Sequence, residues 1–269
     1  MKFGVIGHPI DHSLSPIMHS ANFEALGRDD QYHALNVPPQ HFQRIREIIK
    51  EQELNGFNIT IPHKESIIPY LDEISPSAQY IGAVNTVLVK DDKWIGYNTD
   101  GIGFVKGLID KHGPIDEKNI LVLGAGGASK GIVSEMIKFT NHKITVANRS
   151  VNRFDNWQLE IKAMSLTEVK PLIHTFDMII NTTPVGMNEK SSELIIPIEK
   201  ISKKALVCDI IYIPNKTPLL QACEREGLAI YNGLDMFVYQ GAESFGIWTG
   251  QEANIEVMKN RVKDELKRR

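Results

Sequence analysis

Among the polar residues that follow apolar runs in the N-terminal part of the chain, Lys64 and Asp100 are the pair whose types suit proton transfer beside a bound small molecule. Lys64 follows the run Gly56 to Thr60, and Asp100 opens a segment of helical spacing. A lysine held by an aspartate can deliver a proton to a carbonyl oxygen as it becomes an alkoxide, and its charge stabilises the developing oxyanion. The same residues also read as a solvated helix lysine and an aspartate N-cap. Around them stand Ser13, Ser15, Asn58, Thr60, Asn85, Thr86, Asn98 and Thr99. Such groups both donate and accept, as recognition of a polyhydroxylated molecule requires, although each alone is also a turn former or cap.

A second kind of chemistry lies in Ile120 to Ser150. A short apolar run ends in Gly124, Ala125, Gly126, Gly127 and Ala128, a helix-like segment comes next, and a β-branched run ends in Asn148-Arg149-Ser150. Strand, glycine turn, helix and strand within about 30 residues is the size of one βαβ unit. Glycines let the backbone approach a pyrophosphate whose charge sits at a helix N-terminus. Ser129 occupies the third glycine position of that pattern, and a turn that only packs a helix on a sheet is the competing reading. The end of the second strand carries no acid for a ribose 2′-hydroxyl. It carries Asn148 and Arg149, with Arg153 four residues beyond Arg149, and guanidinium groups suit a 2′-phosphate. The expected cofactor is therefore NADP, against the alternative of solvated surface arginines.

These residues need a scaffold that brings strand ends together. Strands are predicted at Lys2 to Gly7, Tyr32 to Val37 and Gly56 to Thr60. Helices open at Ser15-Pro16 and at Pro38-Pro39, and the proline of Ile61-Pro62-His63-Lys64 permits another helix start. Alternating strand and helix implies a mostly parallel sheet with its site at the carboxyl ends of the strands. NTVLVK and KWIGYN, joined by Asp91-Asp92, read as a hairpin before a helix from Asp100 to Lys111. Gly113-Pro114 marks a boundary. Later strands are predicted at Met178 to Thr182, Leu206 to Ile211 and Ala229 to Asn232, and helices at Asp235 to Gly250 and Ile255 to Lys267. The fold class is α/β with two domains: residues 1–112 as a substrate-binding catalytic domain and 113–236 as a Rossmann domain. Residues 237–269 form C-terminal helices packing back on the first.

With 269 residues, 42% of them hydrophobic, the chain can bury real cores. A net charge of −3 offers no field for nucleic acid or an anionic membrane, and Lys267-Arg268-Arg269 reads as a solvated helix end. No apolar span approaches the roughly 20 residues of a membrane helix, so a cytoplasmic protein is expected. Cys208 and Cys223 lack C-x-x-C spacing and read as reduced and structural. His8, His12 and His19 lack ligand spacing, so no metal is expected. His63 precedes the lysine and could approach the substrate, but with the acid already supplied by its neighbour it reads as a supporting or structural residue, and Trp94, Trp157 and Trp248 read as packing groups.

The strings SLSP (Ser13 to Pro16), GFNITIPHK (Gly56 to Lys64), GAVNT (Gly82 to Thr86), YNTDG (Tyr97 to Gly101), LGAGGA (Leu123 to Ala128), NTTPVGM (Asn181 to Met187) and DMFVYQG (Asp235 to Gly241) resemble the shikimate dehydrogenases, in order and over nearly the whole chain. The resemblance implies NADPH-dependent, reversible reduction of 3-dehydroshikimate to shikimate on the route to aromatic amino acids, by an N-terminal substrate domain and a C-terminal Rossmann domain. It makes Lys64 the catalytic lysine and Asp100 its partner. It puts Ser13 and Ser15 at the substrate carboxylate with Tyr212 nearby, and Asn58, Thr60, Asn85 and Gln240 among the ring hydroxyls. Gly124 to Ala128, Asn148, Arg149, Ser150 and Arg153 match the NADP loops, joined by Thr182 and Thr183. Ile210, Gly233 and Met236 match the nicotinamide pocket. Ser150 stands where the family often has threonine and keeps the hydroxyl. A quinate-using relative commonly prefers NAD, and the absent acid at Asn148-Arg149 argues against it; a non-catalytic sensor would have no need of both Lys64 and Asp100. Monomer and homodimer are equally compatible with the family.

Overall fold

The structure, a computed structural model, describes residues 1–187 and 194–268. In chain order the elements are β1 (Lys2–Gly7), α1 (Ser15–Ala25), β2 (Gln31–Asn36), α2 (Ile45–Glu51), β3 (Gly56–Ile59), β4 (Glu73–Ile74), α3 (Pro76–Ile81), β5 (Thr86–Lys90), β6 (Lys93–Tyr97) and α4 (Asp100–His112). They continue with β7 (Ile120–Leu123), α5 (Gly127–Met136), β8 (Ile144–Asn148), β9 (Ile161–Ser165), α6 (Leu166–Val169), β10 (Met178–Asn181), β11 (Leu206–Asp209), α7 (Pro218–Arg225), β12 (Ala229–Tyr231), α8 (Leu234–Thr249) and α9 (Ile255–Arg268). Arg269, the last residue of the basic tail, lies outside the described residues.

Contacts divide the chain into two compact units: Met1–Gly103 with the chain from Val238 onward, and Phe104–Phe237. Both changes of unit fall inside a helix, α4 and α8.

In the first unit the strand order is β2-β1-β3-β5-β6-β4. β1 pairs parallel with β2 and β3, while β5 runs antiparallel to both β3 and β6. The antiparallel part is the predicted hairpin. Asp91 and Asp92 take φ of 51° and 60°, a left-handed pair that matches a two-residue turn to the twist of its strands. Its registers Asn58↔Thr86 and Thr86↔Tyr97 bring the start of β5 and the end of β6 to the carboxyl end of β3. Phe57, Val84, Val87 and Trp94 are buried in one core, and Phe3, Phe23, Phe245 and Trp248 in another.

The helix that Pro62 permits is not formed. Residues 61–67 fold as turns, followed by a single 3₁₀ turn at Ile68–Tyr70. Tertiary partners claim this backbone: the Ile61 carbonyl accepts from His8 N at 3.0 Å and the Lys64 carbonyl from Val84 N at 2.8 Å. After Pro38 the chain first makes a 3₁₀ segment, Pro39–Arg44, before α2.

The second unit is a parallel sheet in the order β12-β11-β10-β7-β8-β9, with β7 at the point where strand order reverses. β7, β10 and β11 are buried along their whole length, as expected for central parallel strands. Cys208 and Cys223 are buried thiols whose pKa values burial pushes up. Among the described residues no helix is long and apolar enough to cross a membrane.

Candidate active site

The first unit gathers its polar residues at one end of its sheet. Thr60 and Lys64 follow β3, Asn85 precedes β5, and Asn98, Thr99 and Asp100 follow β6. Lys64 is held from both sides along the chain. Its carbonyl accepts from Val84, and its neighbour His63 is buried, bonded through Nε2 to the Val37 carbonyl at 2.7 Å and stacked on Phe42 at 4.1 Å. Lys64 Nζ lies 2.6 Å from Asp100 Oδ2. The other oxygen, Asp100 Oδ1, accepts from Asn85 Nδ2 at 2.8 Å, and Asp100 N donates to Asn98 Oδ1 at 3.1 Å. The carboxylate is therefore fixed in rotation, while the lysine, 32% exposed against 13% for the aspartate, keeps two of its three N–H donors without a partner among the described residues.

Behind this pair runs a satisfied network. Asn85 Oδ1 accepts from Thr99 N at 2.8 Å and from Thr86 Oγ1 at 2.9 Å. Asn58 Oδ1 accepts from Tyr32 at 2.7 Å, and its Nδ2 faces the Asn85 carbonyl, Thr86 Oγ1 and Ser244 Oγ within 3.1 Å. With two donors shared among three acceptors, Asn58 acts on the site by holding Asn85 and Thr86. Thr99 Oγ1 and Ser244 Oγ donate to the Gln240 carbonyl at 3.0 and 2.9 Å, which fixes that turn of α8. Ser15 is buried at the start of α1 and its N–H donates to Ser13 Oγ at 3.3 Å. Tyr32 and Ser244 are not legible from sequence, since a tyrosine in a strand and a serine in an apolar helix carry no signal of their own.

His19 is a core residue. It stacks on Tyr32 at 4.3 Å with no exposed surface, and burial lowers its pKa to about 3. Trp94 and Trp248 are buried and Trp157 packs against the core.

In the second unit, Gly124 sits at φ +117°, and a Cβ there would stand 2.6 Å from Thr182 Oγ1. Only glycine allows the loop after β10 to come so close. Ser129, at the third glycine position, is buried and donates to the Gly124 carbonyl at 2.8 Å, so its hydroxyl braces the turn. Gly126 caps α5, whose first turn holds Gly127 and Ala128. A cleft of about 810 Å³ opens here. Gly124, Ala125 and Gly126 line it together with Asn148, Arg149, Ser150 and Arg153 and with Thr182 and Thr183. It also reaches Ser165, Thr167 and Lys170, which sequence reading missed because β9 is an edge strand with three of its five residues half-buried and no clean alternation. Arg149, Arg153 and Lys170 have no ion pair among the described residues. Three unpaired cations beside a glycine turn fit an anionic nucleotide bearing more than a pyrophosphate.

Ile210, Gly233 and Met236 lie off this cleft. Gly233 presses on the Ile210 backbone, where a Cβ would lie 1.9 Å from the carbonyl oxygen, and Met236 is buried on α8. Tyr212 belongs to the second unit and stacks on Phe237 at 4.8 Å.

A Rossmann unit with a nucleotide cleft, in one chain with a unit that aims an aspartate-held lysine from a bed of hydroxyls and amides, makes this an oxidoreductase of the two-domain α/β kind. Family models agree in order along the chain. Residues 5–87 match the shikimate dehydrogenase substrate binding domain, 108–215 the shikimate / quinate 5-dehydrogenase model, and 233–263 the shikimate 5′-dehydrogenase C-terminal domain. The chain is 58% identical over 267 residues to shikimate dehydrogenase (NADP(+)) of Staphylococcus aureus, covering 99% of each. A shikimate dehydrogenase solved in complex with NADP+ superposes with a TM-score of 0.90 at 42% identity, over 98% of this chain and 95% of the other. The Thermus thermophilus shikimate 5-dehydrogenase in complex with NADP(H) and shikimate gives 0.88 at 32% identity, over 98% and 99%. The chain belongs to the shikimate dehydrogenase family.

Proposed function

We propose that this protein reduces 3-dehydroshikimate to shikimate reversibly with NADPH, in the pathway to aromatic amino acids, with Lys64 as the acid–base residue and Asp100 as its partner. The observation that carries this reading is the 2.6 Å contact between Lys64 Nζ and Asp100 Oδ2, with the second carboxylate oxygen tied to Asn85. NADPH, when bound, supplies the hydride. Lys64 gives a proton to the substrate oxygen in reduction and takes one back in oxidation, and its charge stabilises the alkoxide between the two.

Ser13 and Ser15, with Tyr212, take the substrate carboxylate. Thr60, Asn85 and Gln240 meet the ring hydroxyls, with Asn58 supporting them from behind. Hydroxyls rather than arginine at a carboxylate keep binding reversible. Gly124 to Ala128 carry the pyrophosphate, Asn148, Arg149, Ser150 and Arg153 the 2′-phosphoryl ribose, with Thr182 and Thr183 beside the glycine turn, and Ile210, Gly233 and Met236 the nicotinamide. The unit of Met1–Gly103 with the chain from Val238 onward is the substrate domain and Phe104–Phe237 the NADP domain, a boundary inside α4 rather than at Gly113-Pro114, in a cytoplasmic monomer or homodimer.

The test monitors NADPH absorbance with shikimate and with quinate, each with NADP and with NAD. Turnover of shikimate with NADP well above the other three pairs is the expected result. Preference for quinate with NAD would overturn the substrate assignment, and no turnover of any pair would overturn catalysis.

A further inference from the structure

Asp209, the last residue of β11, has no exposed surface, and the chemistry above does not use it. We infer that Asp209 is a positioning residue for the cofactor cleft: its carboxylate fixes the Asn181 amide, and through it the loop 182–185 that walls the cleft. The inference rests on the reading of that cleft as an NADP site.

All of the carboxylate's partners are donors. Asn181 Nδ2 lies 3.0 Å and Thr217 Oγ1 2.8 Å from Oδ2, and Ile211 N lies 3.1 Å from Oδ1. These come from the end of β10, the cap of α7 and the turn after β11, so one side chain ties three loops. An ionised carboxylate accepts only, so it sets the Asn181 amide with nitrogen inward. The amide oxygen then faces out and accepts from Thr183 N at 3.1 Å and Thr183 Oγ1 at 2.7 Å. Thr183 Oγ1 in turn accepts from Val185 N at 3.3 Å. Thr182, beside it, donates to the Leu123 carbonyl at 2.7 Å and approaches the bare Cα of Gly124. Were the amide to turn over, Thr183 would lose its acceptor and face a donor.

An amide or a protonated acid at 209 puts a donor among donors; the Ile211 N–H is fixed by the backbone, so the Thr217 hydroxyl and the Asn181 amide are the groups that can turn. Burial raises the Asp209 pKa to about 6 against the pull of its three donors, so the acid form enters the accessible pH range. On its own strand the neighbouring titratable group is Cys208, whose thiol burial keeps protonated. β12 sets Tyr231 opposite Cys208, with Lys111 over that ring at 5.1 Å and 3.9 Å from Asp235, and His112 edge-on to it. Lys216, beside Thr217, is paired with Glu224 at 2.7 Å.

The experiment compares NADP with adenosine 2′-monophosphate, which carries the adenine and the 2′-phosphate but neither the pyrophosphate nor the nicotinamide, by calorimetry on wild type, Asp209→Asn and Thr217→Val. The ratio of the two affinities cancels the titration of the 2′-phosphate itself, whose second pKa is about 6. In wild type the ratio should fall as pH drops through about 6, the pH at which Asp209 gains its proton. In Asp209→Asn it should be about tenfold lower and flat with pH, as expected for a lost bond to a charged acceptor. Thr217→Val keeps the carboxylate and should lower the ratio by roughly threefold. An unchanged ratio in Asp209→Asn, or a wild-type pH profile that persists in it, overturns the inference. If Asp209→Asn binds neither probe while wild type binds both, Thr217→Val decides, and an unshifted ratio there is equally fatal. If wild type binds neither probe, the NADP reading itself is what fails.

Discussion

Lys64 finds its counter-charge inside the protein, 2.6 Å away on a carboxylate that Asn85 holds still, whereas Arg149, Arg153 and Lys170 of the second unit are paired with nothing among the described residues. One site is assembled in advance by its own hydrogen bonds. The other, among the described residues, offers its cations no counter-charge and defers their pairing until an anion arrives. On the function proposed above, the difference matches two tasks. A proton must be transferred at a fixed point, and fixing the donor beforehand removes reorganisation from the chemical step. A dinucleotide must bind and leave, and solvated cations give selectivity for a phosphate without a buried charge that would be costly when empty.

Mutations separate the two arrangements by which kinetic constant moves. Lys64→Ala should lower kcat by roughly 10²- to 10⁴-fold with little change in KM for shikimate, the range for one acid–base group. A loss confined to KM would reassign Lys64 to binding. Replacing Arg149 or Arg153 by Ala should raise KM for NADP about ten- to a hundredfold each and leave KM for NAD unchanged, because a charge-assisted contact contributes about 1.5 to 3 kcal/mol. Equal loss with both nucleotides would move the guanidinium groups off the 2′-phosphate. Lys170→Ala, an exposed site, should cost at most about fivefold in NADP affinity, and added salt should erase that cost before it erases the arginine effect.

Chemistry is more legible in this sequence than position. Lys64 and Asp100 stand out as a pair although the helix permitted after Pro62 does not exist, because a residue type at a strand end survives an error in the next element. The two-residue hairpin at Asp91-Asp92 is legible since the apolar alternation on both sides leaves only one place to turn. β9 is not, as an edge strand with Lys162 and Ala163 exposed buries too little to show a period, and with it go Ser165 and Lys170. α3 and α7 escape notice despite Ser75-Pro76 and Thr217-Pro218, both working N-caps, because each helix is shorter than the window that periodicity needs. The Asp209 network is invisible for another reason. Its partners Asn181 and Thr217 lie 28 and 8 residues away in sequence, and only the sheet brings them together.

Because α4 leaves the first unit at Gly103 and α8 re-enters it at Val238, the two units are completed in the reverse of their order along the chain. On a ribosome the sheet of the first unit emerges early, but Phe245 and Trp248 of its core, Ser244 of its polar network and Gln240 arrive only after the whole second unit has been made. The nucleotide half is thus a contiguous folding segment that precedes the finished catalytic half. A premature stop shortly after Phe237 would spare the glycine turn and its cations while leaving the bed beneath Asn85 and Thr99 unfinished.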